Sequence, residues 1–272
     1  MTHLRRQPAV AGRFYPADPV ALRQLVERCL GRPQPRRACR AGVVPHAGLE
    51  FSGACAAAFY ARAAIPPTVV ILGPNHTGIC QSPGASILEE GSMLTPLGEV
   101  QIDAELAAAI SASATLVAHD PAAHRFEHSI EVQLPFLQVV APEVAVVPIV
   151  LAFDDWPRCQ QLANALAPLV RARKEGCLLL ASSDMTHYES AQECARRDRI
   201  ALAALEKLNG RELLDACRRE RISMCGRAAA AVVVEVARQL GATEAQVLDY
   251  RHSGMVTGDD SDVVAYAALL VP

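Results

Sequence analysis

Residues 41–52, AGVVPHAGLEFS, and their echo at residues 68–78, TVVILGPNHTG, decide how this chain folds. In each, a short β-branched apolar run reaches a proline and delivers a histidine just past its end. Val43-Val44-Pro45 leads to His46, and the run from Val69 through Gly73-Pro74-Asn75 leads to His76. The segment between them, SGACAAAFYARAA, has the character of a helix. Strand, helix, strand is a parallel unit. Both histidines then stand at the carboxyl edge of one sheet, where α/β proteins gather their chemistry.

The same alternation continues on both sides. Asp18-Pro19 is a capping pair for a first helix whose face is Leu22, Leu25, Val26, Cys29 and Leu30, closed by Gly31 and Pro33. Residues 78–83 form a loop, 85–88 a short strand and 95–98 a turn. Asp103 caps a helix over 105–112, and a strand is expected near 115–118. The polar loop 119–128 holds three histidines. Residues 129–140 have helical spacing, with a kink expected at Pro135. The run 144–151, VAVVPIVL, is a buried strand whose Pro148 suggests a bulge or an edge. After a helix at 157–173, CLLLA at 177–181 is a further buried strand running into SSDMTHY. Helices at 191–208, 212–219 and 224–240 and strands at 247–250 and 263–270 complete the chain. With no linker-like segment and no repeat, residues 1–272 are expected to form one α/β domain. Its central sheet is mostly parallel or mixed and is flanked by helices.

Composition narrows the function. With 51% hydrophobic and 20% charged residues the chain is globular, and at 4% aromatics its core rests on Ala, Val and Leu. A net charge of −3 without a long basic run argues against nucleic acid as a partner. No stretch approaches the roughly eighteen apolar residues of a membrane span. Nine cysteines, an odd number without a C-x-x-C pair, form neither a zinc ribbon nor a disulfide framework. That usage and the lack of an apolar leader predict a reducing, cytoplasmic setting.

Three strands thus deliver His46, His76 and the Asp184/His187 pair to one rim. Two histidines and a carboxylate from separate elements suit non-haem iron or a related divalent ion. A lone histidine after a strand is more often a packing residue; two at equivalent positions of adjacent βαβ strands make the stronger signal. Asp184 alone would be an ordinary turn residue. Cys225, in ISMCGRAAA, precedes a helix, where a lowered thiol pKa would make it a ligand or a nucleophile. The other eight cysteines suit core packing. In HRFEHSIE, a helical start would put His128 and Glu131 on one face, and Glu127 would support a cap. GDDSD at 258–262 lacks the spacing of a calcium loop and is better taken as a turn.

Taken together, RQPAVAGRFYPAD, VVPHAGLEFSG, ILGPNHTG, EHSIEVQLPFLQ, LLLASSDMTHY, MCGRAAAAVV and YRHSGMVTGDDSDVVAYAA resemble the Memo family, in order and over nearly the whole chain. Its prokaryotic members are also called AmmeMemoRadiSam system protein B. The resemblance implies a fold like the LigB-like class III extradiol dioxygenases. It carries metal ligands over onto His46, His76 and Cys225, and pocket residues onto Asp184, His187 and His128. Those dioxygenases use a carboxylate as the third ligand. A thiolate here favours copper(I), zinc or a differently tuned iron and argues against ring cleavage.

Three functions are then weighed. The first is a redox-linked metal enzyme, with iron or copper as cofactor ahead of zinc and His187 as acid/base oriented by Asp184. The second is a module binding a metabolite or phosphopeptide without turnover, with Arg125, Arg227 and Arg251 as candidate phosphate contacts. The third is metal-assisted hydrolysis. The resemblance further implies AMMECR1-like and radical SAM proteins as partners.

Overall fold

The computed structural model describes residues 4–80 and 84–272; of the loop expected over 78–83, residues 81–83 lie outside that description. A short strand, β1 (Arg5–Arg6), leads to α1 (Pro19–Leu30). Asp18 caps α1 by accepting the Ala21 N–H at 2.8 Å, and Gly31, with φ 65, ends it. Then come β2 (Ala41–Val44), α2 (Leu49–Tyr60) and β3 (Thr68–Pro74). Next are β4 (Ala85–Ile87), β5 (Ser92–Thr95), β6 (Gly98–Ile102), α3 (Ala104–Ser113), β7 (Val117–His119) and α4 (Pro121–His124). A single 3-10 turn (Glu131–Gln133) runs into α5 (Leu134–Val140), followed by β8 (Ala145–Leu151) and α6 (Trp156–Ala172). The last third comprises β9 (Cys177–Ser182), β10 (His187–Glu189), α7 (Ala191–Glu206), α8 (Gly210–Arg219), α9 (Arg227–Gln239), β11 (Gln246–His252), α10 (Gly254–Thr257) and β12 (Val263–Val271).

The strands join one mixed sheet in the order β1-β5-β6-β8-β3-β9-β2-β12-β10, with β11 on β12, β4 on β8 and β7 on β4. Its centre, β8-β3-β9-β2, is parallel. These strands are almost wholly buried, as the unbroken apolar runs of a parallel sheet covered by helices require. Contact between layers is close: a Cβ on Gly42 would sit 2.3 Å from the Phe59 ring, so glycine is what lets α2 lie against β2.

Several expectations are corrected. β2 and β3 are parallel but not neighbours, because β9 runs between them, with Leu179 beside Ala41 and Cys177 beside Thr68. The Ser182–His187 turn is thereby set between the two histidine loops. Residues 129–140 are not one kinked helix: Pro135 sits in the first turn of α5, where its missing N–H costs nothing. Pro148 makes neither a bulge nor an outer edge, being paired with Ile71 in register. The Ala145 N–H donates to Pro67, so Pro148, three residues on, turns its nitrogen away from β3. That side is the seam where β8 passes from β6 at Val146 to β4 at Ile149. The β5–β6 hairpin around the expected 95–98 turn was not anticipated.

Candidate metal centre

The carboxyl ends of β2, β3 and β9 converge as expected, and a fourth segment, the loop before the 3-10 turn, joins them. One ring nitrogen from each of His46, His76 and His128 lies within 4.8 Å of the other two. The His76 and His128 rings stack at 4.5 Å, and the His46 ring meets both edge-on at 5.2 and 5.5 Å. A second group shares His46: its Nε2 lies 3.4 Å from the Cys225 sulfur, and Asp184 completes that set.

Hydrogen bonds settle which nitrogens face the centre. The Ser182 hydroxyl donates to the Ser129 carbonyl at 2.5 Å and accepts from the Gln133 amide at 2.8 Å. Its contact with His46 Nδ1 at 2.9 Å must then be donated by the imidazole. That places the proton on Nδ1 and leaves the Nε2 lone pair for a metal. Gln133 is itself oriented by the Tyr60 hydroxyl at 2.9 Å. His76 Nδ1 faces the Glu127 carboxylate at 2.9 Å, which again leaves Nε2 as the free donor atom. A histidine ligand whose far nitrogen is fixed by an oxygen is the usual arrangement at protein metal sites.

Burial favours the neutral form of His46 and of His128. Burial, helped by the neighbouring His76, lowers His46 to about 3. Burial and His46 lower His128 to about 4. Burial works to raise Glu127, but hydrogen bonding and charge from His76, with the Ser129 amide, outweigh it and hold the carboxyl at about 2. Asp184 is raised by burial even though the His46 N–H, at 2.8 Å, and the Ala47 N–H, at 3.2 Å, both donate to its Oδ1.

Cys225 departs from its expected chemistry. It lies one residue before the Gly226 cap of α9, and burial, reinforced by Asp184, pushes its thiol up to about 12 instead of lowering it. The Asp184 N–H points at its sulfur from 3.2 Å. Metal coordination would be what deprotonates such a thiol. His187 opens β10 at a bulge, with its N–H on the Ser223 hydroxyl at 2.8 Å. Its Nδ1 is buried without a hydrogen-bond partner, and no hydrogen bond joins it to Asp184 among the described residues. Tyr188 follows at φ 59, a conformation unusual for an aromatic residue, with its side chain in solvent.

Two acidic residues have parts the sequence did not assign. Glu127 accepts the His76 N–H (2.6 Å), the His128 N–H (2.9 Å) and the Ser129 N–H (2.9 Å) besides the His76 ring. Its place directly before His128 was the available signal. Glu131 does not share a face with His128; it is buried against Arg6, Tyr15 and the amides of Ala9 and Val10. Of the three candidate arginines, Arg125 stacks on Phe126 and Arg251 pairs with Asp249. Only Arg227 lines the cavity that Cys225 also lines.

The comparisons with known proteins bear on the whole arrangement. A family model described as Memo-like protein matches residues 6–270. A MEMO1 family protein of Aquifex aeolicus is 41% identical, over 97% of this chain and 98% of its own length. One from Methanopyrus kandleri is 38% identical over 98% and 99% respectively. Among solved structures, an uncharacterized protein from Escherichia coli K12 superposes with a TM-score of 0.53 at 12% identity, covering 86% of this chain and 100% of that one. That likeness shows the shared fold.

Proposed function

This chain belongs to the Memo family, and on that basis we propose that it is a redox-linked metalloprotein whose ion is held by His46, His76 and Cys225, with His128 beside them. The observation that carries this is that His46 meets His76 and His128 in one group and Cys225 and Asp184 in another, with the Nδ1 of His46 and of His76 each bonded to an oxygen and the thiol 3.4 Å from His46 Nε2. Two imidazoles and a sulfur suit iron or copper, with zinc as the redox-silent alternative. A bound ion of this kind supplies Lewis acidity and, for iron or copper, one-electron chemistry. The chain's own residues do the rest. Ser182 and Glu127 hold the imidazoles in their ligand tautomers. Asp184 anchors the His46 loop through two backbone amides and presents its own N–H to the sulfur. His187, at the rim, would be the residue to exchange a proton with a bound molecule. The family relationship supports a place in the AmmeMemoRadiSam system, with AMMECR1-like and radical SAM proteins as partners, and the free cysteines support a reducing, cytoplasmic setting. No helix among the described residues is long and apolar enough to cross a membrane.

The test is the metal content and absorption spectrum of untagged protein purified without oxygen or chelator. Stoichiometric iron or copper in the parent, lost in His46→Ala and spectrally altered in Cys225→Ser, is the expected result. Protein that neither carries nor takes up any of these metals would overturn the proposal. A tightly held, colourless zinc would turn it toward hydrolysis.

A further inference from the structure

A cavity of about 510 Å³ opens beside the centre, between the carboxyl ends of β3 and β8 and the start of α9, with Cys225 in its wall. Its size is that of a small-molecule site. Pro74 and Gly78 line one side, and Phe153 the other. Its charged lining is Arg158, Arg227 and Asp154, two guanidiniums against one carboxylate. Arg158 lies over the Phe153 ring and turns its Nε to Asp155, outside the lining. Arg227 is held in place: its Nε and Nη2 both donate to Asp154 Oδ2, and Nη1 reaches the Met224 carbonyl at 3.4 Å. Asp154 is itself anchored, its backbone carbonyl accepting from Arg218 at 2.6 Å. A guanidinium has five N–H donors. Three of those on Arg227 are engaged, so it keeps donors for a ligand and stands in a fixed orientation to use them.

We propose that this cavity is the substrate chamber of the centre and that Arg227 receives the carboxylate or phosphate of a small organic anion whose other end reaches Cys225. The role of that far end rests on the metal-centre proposal; the anion subsite does not. Arg227 is a specificity residue here, and Asp154 both positions it and competes with the incoming anion.

The experiment compares alkylation of Cys225 by iodoacetate and by iodoacetamide in metal-free protein at alkaline pH, the thiolate being the reacting form, with the modified residue quantified by peptide mass spectrometry. The two reagents differ little in size but only one is an anion. Folded protein is expected to favour iodoacetate by about threefold or more relative to the same protein in urea, as a local positive potential concentrates anions. Asp154→Asn should widen that preference, and Arg227→Gln should abolish it. Inorganic phosphate and benzoate, tried separately to distinguish phosphate from carboxylate ligands, should slow the iodoacetamide reaction in the parent and not in Arg227→Gln. A preference equal to that in urea, or one that survives in folded Arg227→Gln, would overturn the proposal. If Arg227→Gln does not fold, an Asp154→Asn protein without an increased preference does so instead. Because the readout needs no metal, failure to bind metal leaves this result standing, and the reverse also holds.

Discussion

Glu127 gathers four hydrogen bonds on two oxygens, from the His76 ring and amide and from the His128 and Ser129 amides. One carboxylate thus joins two histidine loops that are far apart in sequence. Glu127→Gln keeps the shape but loses the charge and one pair of acceptor sites. It should weaken metal binding by about 10–100-fold, the usual cost of removing a partner behind a ligand, measured by competition with a chromogenic chelator. Unchanged affinity would show that Glu127 only ties the loops. The acid limb of stability follows from the buried imidazoles. His46 and His124 are fully buried and held at about 3 and about 4, below the ordinary histidine value. In the unfolded chain both protonate near pH 6.5, so the unfolded state binds more protons below that pH and the fold is progressively destabilised. The loss is up to about 1.4 kcal/mol per pH unit for each, continuing down to the folded-state values. Urea midpoints of metal-free protein at pH 7, 6, 5 and 4 should fall, and His124→Gln should flatten the decline. A flat parent profile would contradict both assignments. The positions of His46 and His76 past their strands were visible in the sequence because the chain itself delivers them. Glu127 had only its place beside His128 to mark it, since its role depends on a contact with a loop that the chain places elsewhere.

Between elements, the centre depends on how closely α9 approaches β9. A Cβ on Gly226 would lie 2.4 Å from the Ser182 carbonyl oxygen and 2.6 Å from the Ser183 Cβ. The Gly226 N–H is also bonded to the Ser183 hydroxyl at 2.9 Å, so this contact sets the distance from Cys225 to Asp184. Gly226→Ala must push α9 away. It should cost about 1–3 kcal/mol in urea unfolding, as overpacking does, and reduce metal affinity in the same protein. Lost stability with metal affinity intact would place the ligand set without the sulfur. The strands and helices themselves were legible because each central strand is one uninterrupted apolar run. Their order was not: nothing in residues 41–74 indicates that 177–182 will run between the two strands. The same limit explains Pro148, whose tolerance depends on a seam between two partner strands, and Pro135, whose position depends on where α5 begins.

Across the whole molecule, residues 6–15 form a strap packed on the loop that bears His128. Arg6 and Glu131 are both buried, and the Arg6 guanidinium also donates to the His124 carbonyl at 3.0 Å and to the Glu127 carbonyl. Glu131 in turn holds the Ala9 and Val10 amides and the Tyr15 hydroxyl. The strap continues to Phe14, whose ring meets His128 edge-on at 4.8 Å and whose carbonyl accepts the Leu49 N–H at 2.7 Å. One buried ion pair therefore links residues 6–15 to loops bearing His46 and His128. Arg6→Met removes the cation and leaves the Glu131 charge buried with only neutral donors. The expected loss is about 3–5 kcal/mol, that of breaking a buried pair from one side, read from urea unfolding. It should also lower metal affinity, because the 124–129 backbone loses two of the donors that fix it. Tyr15→Phe, which removes one hydrogen bond from Glu131 and touches neither carbonyl, should cost about 1–3 kcal/mol and leave metal affinity within error. If Arg6→Met and Tyr15→Phe lower stability and affinity in the same proportion, the strap acts on the centre only through global stability. If Arg6→Met alone weakens the metal, the strap positions His128 directly.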